Sequence, residues 1–172
     1  LDAGKFPFVP VMASVEGAIH HVLQEISGLA HEKGLDITLD NRSIHPLVWC
    51  DIELVQQLVR NLLANAIRFS HEGEPVRVAI ADCQINTPNG VVEAIELTVC
   101  DVGVGIPELE LDQIFKKFAQ SSMTNKGAGG TGLGLAICKD LVGLHQGKIF
   151  ASNNAAGGAT FTVRLPVNSP VE

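Results

Sequence analysis

Asn61, Asn65 and Arg68 recur at spacings of +4 and +3 inside one apolar-periodic stretch, which places all three on one face of a helix. Asparagine competes with its own backbone for hydrogen bonds and is a mediocre helix former, so two of them one turn apart need a reason. One reason is a solvated helix face. The other is chemistry: amide oxygens suit Mg²⁺, a hard cation that keeps several waters, and a guanidinium holds phosphate oxygens. A second constellation is DVGVGIP, residues 101–107. Asp101 leaves an apolar strand where it could accept a hydrogen bond from an exocyclic amine, and Gly103 and Gly105 permit close backbone approach. An ordinary Asp-Gly turn has the same letters. A third is NKGAGGTGLGLAI, residues 125–137, in which Gly127, Gly129 and Gly132 satisfy G-x-G-x-x-G.

The spacing alone suggests dinucleotide binding, but the surroundings remove that option. Such a fingerprint follows a strand and is trailed about 20 residues on by an acidic residue. Here the loop-like AQSSMTNK precedes it, and KIFASNN, without a carboxylate, lies at that distance. No G-x-x-x-x-G-K-[ST] is present either. What survives is a run of small residues leading into a helix N-terminus, whose exposed N–H groups make an anion site.

The elements that must position these groups follow from periodicity. Residues 14–33 carry Val15, Ile19, Val22, Leu23, Ile26 and Leu29 at helical spacing, with Ser14 as N-cap and Gly34 as stop. Strands are expected at 36–41 and 47–51, and Asp51 caps a second helix over 52–70, whose core stripe is Leu58, Leu62, Ala66 and Phe69. Strands at 75–83 and 92–101 flank the turn-rich INTPNG. A short acidic helix, 108–114, precedes IFKKFAQ, and residues 119–130 read as a mobile loop. A third helix spans 132–144, and KIFAS and ATFTVRLP close the chain as strands around NNAAGG. Three helices and about five strands out of strict β-α-β alternation indicate an α+β two-layer sandwich.

Composition bounds the function. At 172 residues, 46% apolar and 18% charged, the chain reads as one globular domain. Its net charge of −7 argues against general phosphate-backbone binding to nucleic acid. Cys50, Cys83, Cys100 and Cys138 are scattered through apolar runs, as expected of reduced core thiols in a cytoplasmic protein. No run reaches the ~18–20 apolar residues of a membrane span. His20, His21, His45, His71 and His145 have no partner pattern and are expected at or near the surface.

Together the motifs resemble those of sensor histidine kinases, within the wider Bergerat-fold ATPases. NLLANAIRFS looks like the N box, DVGVGIP the first glycine box, IFKKF the F box and GGTGLGLAI the second glycine box, in the family's order and over roughly residues 14–166. The resemblance implies an ATP site between the N-box helix and a flexible lid over about 116–131. Asn65 matches the Mg²⁺-ligating asparagine, Asn61 its support, and Arg68 the phosphate-binding cation; these three form the catalytic set. Phe69 matches the aromatic flanking adenine, and Asp101 the carboxylate that receives its amino group, with Gly103, Gly105 and Ile106 lining the base pocket. Gly130, Thr131, Gly132, Leu133 and Gly134 match the phosphate-cradling end of the lid, Thr160 sits near adenine, and Lys126 reaches from the lid toward the γ-phosphate. Phe118, with Phe115, marks the kinase branch and joins the nucleotide set.

Two departures shape the expected activity. In the ATPase branch, the residue four before the Mg²⁺ asparagine is a glutamate that activates water. Here it is Asn61, which cannot act as a base, so transfer to a protein side chain is favoured over hydrolysis. The phosphoacceptor H-E-x-x-x-P context is also missing, since His31-Glu32 is followed by Lys33-Gly34-Leu35. The resemblance therefore implies a catalytic domain over 11–168, with residues 1–10 a remnant of the dimerisation hairpin or a linker and 169–172 a tail. Its expected partners are the phosphoacceptor domain of the same kinase and a response-regulator receiver, with the isolated domain monomeric and free of nucleic-acid or membrane contact. The rivals are a serine kinase of the anti-sigma type, a pseudo-kinase interaction module and a Bergerat-fold ATPase.

Overall fold

The apolar rows of the helices decide which way each one faces. In the computed structural model, which describes residues 7–117 and 134–170, β1 (Val11–Ala13) leads into α1 (Val15–Glu32), β2 (Asp36–Asn41) and β3 (Val48–Cys50). There follow α2 (Ile52–Phe69), β4 (Pro75–Thr87), β5 (Gly90–Cys100), α3 (Gly134–Leu144), β6 (Lys148–Asn153) and β7 (Ala159–Pro166). On α2, Leu54, Leu58, Leu62 and Ala66 form one buried row, and Val55, Val59, Leu63 and Ile67 form the next. Two adjacent rows at +4 make a stripe wide enough to bury against a sheet and a neighbouring helix together. The helix accordingly lies between α1 and α3, over the centre of the sheet.

Five strands form a mixed sheet in the order β2-β4-β5-β7-β6, with β2 parallel to β4 and the other pairs antiparallel. Val76, Val78 and Ile80 on β4, Ile95, Leu97 and Val99 on β5, and Phe161, Val163 and Leu165 on β7 are buried at every second position. That period of two gives the sheet one covered face. The α+β sandwich of three helices on a mixed five-stranded sheet is thus borne out.

The helix ends follow local chemistry. Ser14 accepts the N–H of Gly17 at 3.0 Å to start α1. At its other end Gly34 has φ +68, while Gly34 N–H bonds His31 O and Leu35 N–H bonds Ala30 O. This is a Schellman stop sealed by the buried Leu35. Helix α3 ends in the same pattern one letter out of phase. Gln146, at φ 55, takes the left-handed position, because a Cβ on Gly147 would lie 2.2 Å from Arg164 O.

Four expectations change. The β4–β5 hairpin is longer than its sequence suggests: Thr87 pairs with Gly90, so the turn shrinks to Pro88 and Asn89. The acidic stretch 108–114 forms only a 3₁₀ turn, Glu108–Glu110, with Leu109 94% exposed and Ile114 beyond the turn buried. Residues 11–13, which periodicity left unassigned, form β1 in a two-stranded sheet with β3. His145, expected at or near the surface, is fully buried. The four cysteines are free thiols, Cys50 and Cys138 buried and Cys83 and Cys100 part-buried.

Candidate functional site

The last turn of α2 is where the sequence-predicted groups converge. A helix leaves its final carbonyls without intrahelical partners, and here each one is taken. Ala66 O accepts from the N–H and Oγ of Ser70, at 3.0 and 2.6 Å. Lys33 Nζ, from the end of α1, reaches Ile67 O at 2.6 Å and Arg68 O at 3.1 Å. Phe69 O accepts the N–H of Val104 at 3.4 Å. These bonds join α1, α2 and the DVGVG segment at one point, and Gly103 makes the join possible. A Cβ there would sit 2.0 Å from Phe69 O.

Asp101 emerges from β5 beside this join and is 3% exposed. Its Oδ1 accepts two backbone donors, Gly103 N–H at 3.0 Å and Ala159 N–H at 3.2 Å. Among the described residues Oδ2 accepts no hydrogen bond. Burial raises the pKa of this carboxyl above the usual aspartate value, the two N–H groups oppose the rise, and the charge of Glu74 adds to it. The result is a carboxylate locked by one oxygen with the other presented to an incoming donor.

The walls around it come from a turn that sequence reasoning treated only as a connection. Asn154 Nδ2 donates to Asp101 O at 2.7 Å, and Asn154 Oδ1 accepts from Thr160 Oγ at 2.6 Å. Asn153 holds Ile106 with both ends of its amide, accepting its N–H at 2.8 Å and donating to its carbonyl at 2.5 Å. Gly158, at φ +83, fits because a Cβ would meet Asp101 O at 2.2 Å. The detectable signal was Asn-Asn followed by Gly-Gly, a pairing of backbone-seeking amides with left-handed conformers.

On the exposed side of α2, Asn61 and Asn65 are half-buried and Arg68 is exposed. Asn61 Nδ2 donates to Gly134 O at 3.4 Å, which joins the stripe to the first residue of α3. Beneath it the Cys138 thiol is pushed by burial up to about 12 and stays neutral. The Asn65 amide has no hydrogen bond among the described residues. Arg68 lies over the Phe69 ring at 5.8 Å and has no carboxylate partner among the described residues. The described residues contain no cluster of three histidine, cysteine or acidic side chains able to hold a metal. A divalent ion here would rely on amide, phosphate and water oxygens, which suits Mg²⁺ and the open Asn65 amide.

Phe69, Asp101, Gly103, Gly105, Ile106 and Thr160 are therefore brought into one cluster, while Asn61 meets Gly134 at the adjoining end of α3. Phe118, Lys126, Gly130, Thr131, Gly132 and Leu133 lie outside the described residues.

The family of histidine kinase-, DNA gyrase B- and HSP90-like ATPases matches residues 50–169. The chain belongs to that family. The span contains all of the predicted site residues. A curated relative, hybrid signal transduction histidine kinase D of Dictyostelium discoideum, is 35% identical over 171 residues, covering 97% of this chain and 11% of that protein. The chain thus spans about a tenth of the length of this relative. The nucleotide-free catalytic domain of histidine kinase ThkA has the same fold, with a TM-score of 0.76 at 24% identity over 94% of this chain and 97% of that one. Full-length ShkA in complex with AMPPNP matches at a TM-score of 0.76 and 25% identity, covering 97% of this chain and 33% of that one. Within this family fold, the last turn of α2, the β5 exit and the turn between β6 and β7 frame the cluster around Asp101.

Proposed function

We propose that this chain binds Mg²⁺–ATP and transfers the γ-phosphoryl group to a histidine on a separate dimerisation domain, as the catalytic part of a two-component sensor kinase. The observation that carries the reading is Asp101: one carboxylate oxygen is held by two backbone N–H groups and the other has no partner among the described residues. An adenine amino group donates to that second oxygen, and a hydrogen bond to a charged acceptor is worth roughly 1.5–3 kcal/mol. Phe69 flanks the base, and Gly103, Gly105, Ile106 and Thr160 bound its pocket. Asn65, supported by Asn61, offers the amide oxygen for Mg²⁺, and Arg68 and Lys126 hold phosphate oxygens. The backbone N–H groups from Gly130 through Thr131, Gly132 and Leu133 to Gly134 cradle the phosphates, with Phe118 at the edge of the lid. Bound Mg²⁺ supplies neutralisation of phosphate charge. The chain's own residues supply positioning, and Asn61 offers no base to activate water.

The partners in this reading are the phosphoacceptor hairpin of the same kinase and a response-regulator receiver, and its compartment is the cytoplasm. No helix among the described residues is long and apolar enough to cross a membrane.

Calorimetry on the purified chain tests the nucleotide claim. The expected result is magnesium-dependent ATP binding, weakened about ten- to a hundred-fold by Asp101→Asn, which replaces an acceptor by a donor facing the same amine. No heat of binding to a folded wild-type chain would overturn the reading. For the transfer step, the chain extended by its upstream hairpin is incubated with γ-labelled ATP. Acid-labile, base-stable label on the hairpin supports a histidine acceptor, and acid-stable label indicates a serine kinase.

A further inference from the structure

His145 belongs to none of the motifs that carry the site, yet it is the histidine most completely enclosed by partners. It is fully buried at the end of α3. Its Nδ1 lies 2.7 Å from Leu141 O, and its Nε2 lies 3.1 Å from the backbone N of Asp51. A carbonyl only accepts and a peptide N–H only donates, so the ring is neutral, with its proton on Nδ1 and its Nε2 lone pair toward Asp51.

Asp51 extends the connection in two directions. Its Oδ1 accepts Leu54 N–H at 3.3 Å as the N-cap of α2, and its Oδ2 accepts Val9 N–H at 2.8 Å. Next to Val9, the Phe8 ring stands edge-on to His145 at 5.0 Å and to Trp49 at 5.5 Å. One cluster therefore joins the N-terminal segment, the start of α2 and the end of α3.

The opposite end of α3 is held as well, by Asn61 on Gly134 O. From Asp51 to Asn61 is ten residues of α2, about 15 Å, and the eleven residues of α3 span about 16 Å. The two helices run antiparallel and are fastened at matched ends. At one end the fastener is a proposed nucleotide residue, and at the other it is His145.

From this geometry we infer that His145 is a positioning residue. It sets the register of α3 against α2, and thereby of Gly134 against Asn61, and through Asp51 and Phe8 it makes that register depend on the seating of the N-terminal segment. The effect on nucleotide affinity rests on the ATP reading above; the three-way connection does not.

The test uses the whole chain at a temperature where every variant is folded. His145→Phe keeps the ring and removes the Nε2 acceptor, whereas His145→Gln can return an acceptor to Asp51 N–H. The expected result is an approximately tenfold loss of Mg²⁺–ATP affinity for His145→Phe and recovery to within about threefold for His145→Gln. Phe8→Ala should weaken affinity in the same direction, and the double variant Phe8→Ala/His145→Phe should be no worse than His145→Phe alone. Amide exchange should accelerate selectively at Val9, Asp51 and Leu54 in His145→Phe. Unchanged affinity in all variants, with only a lower melting temperature, would reduce His145 to a packing residue and overturn the inference. If the wild-type chain binds no nucleotide, the ATP reading fails separately and exchange decides: selective acceleration at Val9 sustains the connection, and an unchanged Val9 sinks it. Should His145→Phe not fold, nitrogen-15 spectra of the wild-type imidazoles take its place. They must give a neutral ring protonated on Nδ1, and an Nε2–H ring would end the proposal.

Discussion

Asp101 carries a charge that its surroundings disfavour, and the sign of that cost gives a prediction. Burial raises its pKa, so protonation favours the folded state. Its favourable contribution is complete below the unfolded pKa and is lost as pH rises through the folded value, which leaves a cost at neutral pH. Asp101→Asn keeps an oxygen for the N–H groups of Gly103 and Ala159 and removes the buried charge. Its melting temperature at pH 7 is expected to equal or exceed that of the wild type while nucleotide affinity collapses. Thermal melts and calorimetry on the same preparation check both, and a large fall in melting temperature would assign Asp101 to the framework instead of to the ligand. Loss of affinity without loss of stability is the usual mark of a group kept for binding.

Among the elements, the end of α3 carries a correctable strain. Gln146 occupies a left-handed conformation at φ 55, which costs a residue with a Cβ roughly 1–2 kcal/mol. Glycine at that position would relieve the strain but release a more flexible unfolded chain. The net expectation for Gln146→Gly is a gain of about 0.5–1 kcal/mol, read as a shift in denaturant midpoint with an unchanged slope. The neighbouring Gly147 allows no such exchange, because a Cβ would lie 2.2 Å from Arg164 O. The phase of Gln-Gly in this turn is set by β7 passing close beneath it, so a helix-local rule misplaces the glycine by one position.

For the whole molecule, acid sensitivity should trace largely to one residue. Burial lowers the pKa of His145, while its bond to Leu141 O and the charge of Asp51 oppose the shift. The unfolded chain therefore binds a proton at a pH where the folded chain does not. Stability from this group is complete above the ordinary histidine value of about 6.5 and falls as pH drops from there toward the lowered folded value. The melting temperature should decline between about pH 7 and pH 5, and His145→Gln should flatten that decline. A decline of equal slope in both proteins would place the acid response elsewhere. The raised pKa of Asp101 acts in the opposite sense, favouring the folded state as pH falls.

What the linear chain determined by itself is local or periodic. The rows of α2, the Ser14 and Asp51 caps, the Gly34 stop and the alternation along β4, β5 and β7 follow from neighbours within a few residues. So do the Asn61, Asn65 and Arg68 stripe and the Asp101 loop, because each motif lies within one short segment. Tertiary structure alone decided what joins distant segments. Lys33 capping α2, Asn153 and Asn154 bracing Ile106 and Asp101, β1 pairing with β3, and His145 receiving Asp51 N–H all depend on groups far apart in the chain. The physical reason is the same in each case. A buried donor or acceptor must find a partner wherever packing brings one within about 3 Å, and only the folded arrangement of α1, α2, α3 and the sheet determines which partner that is.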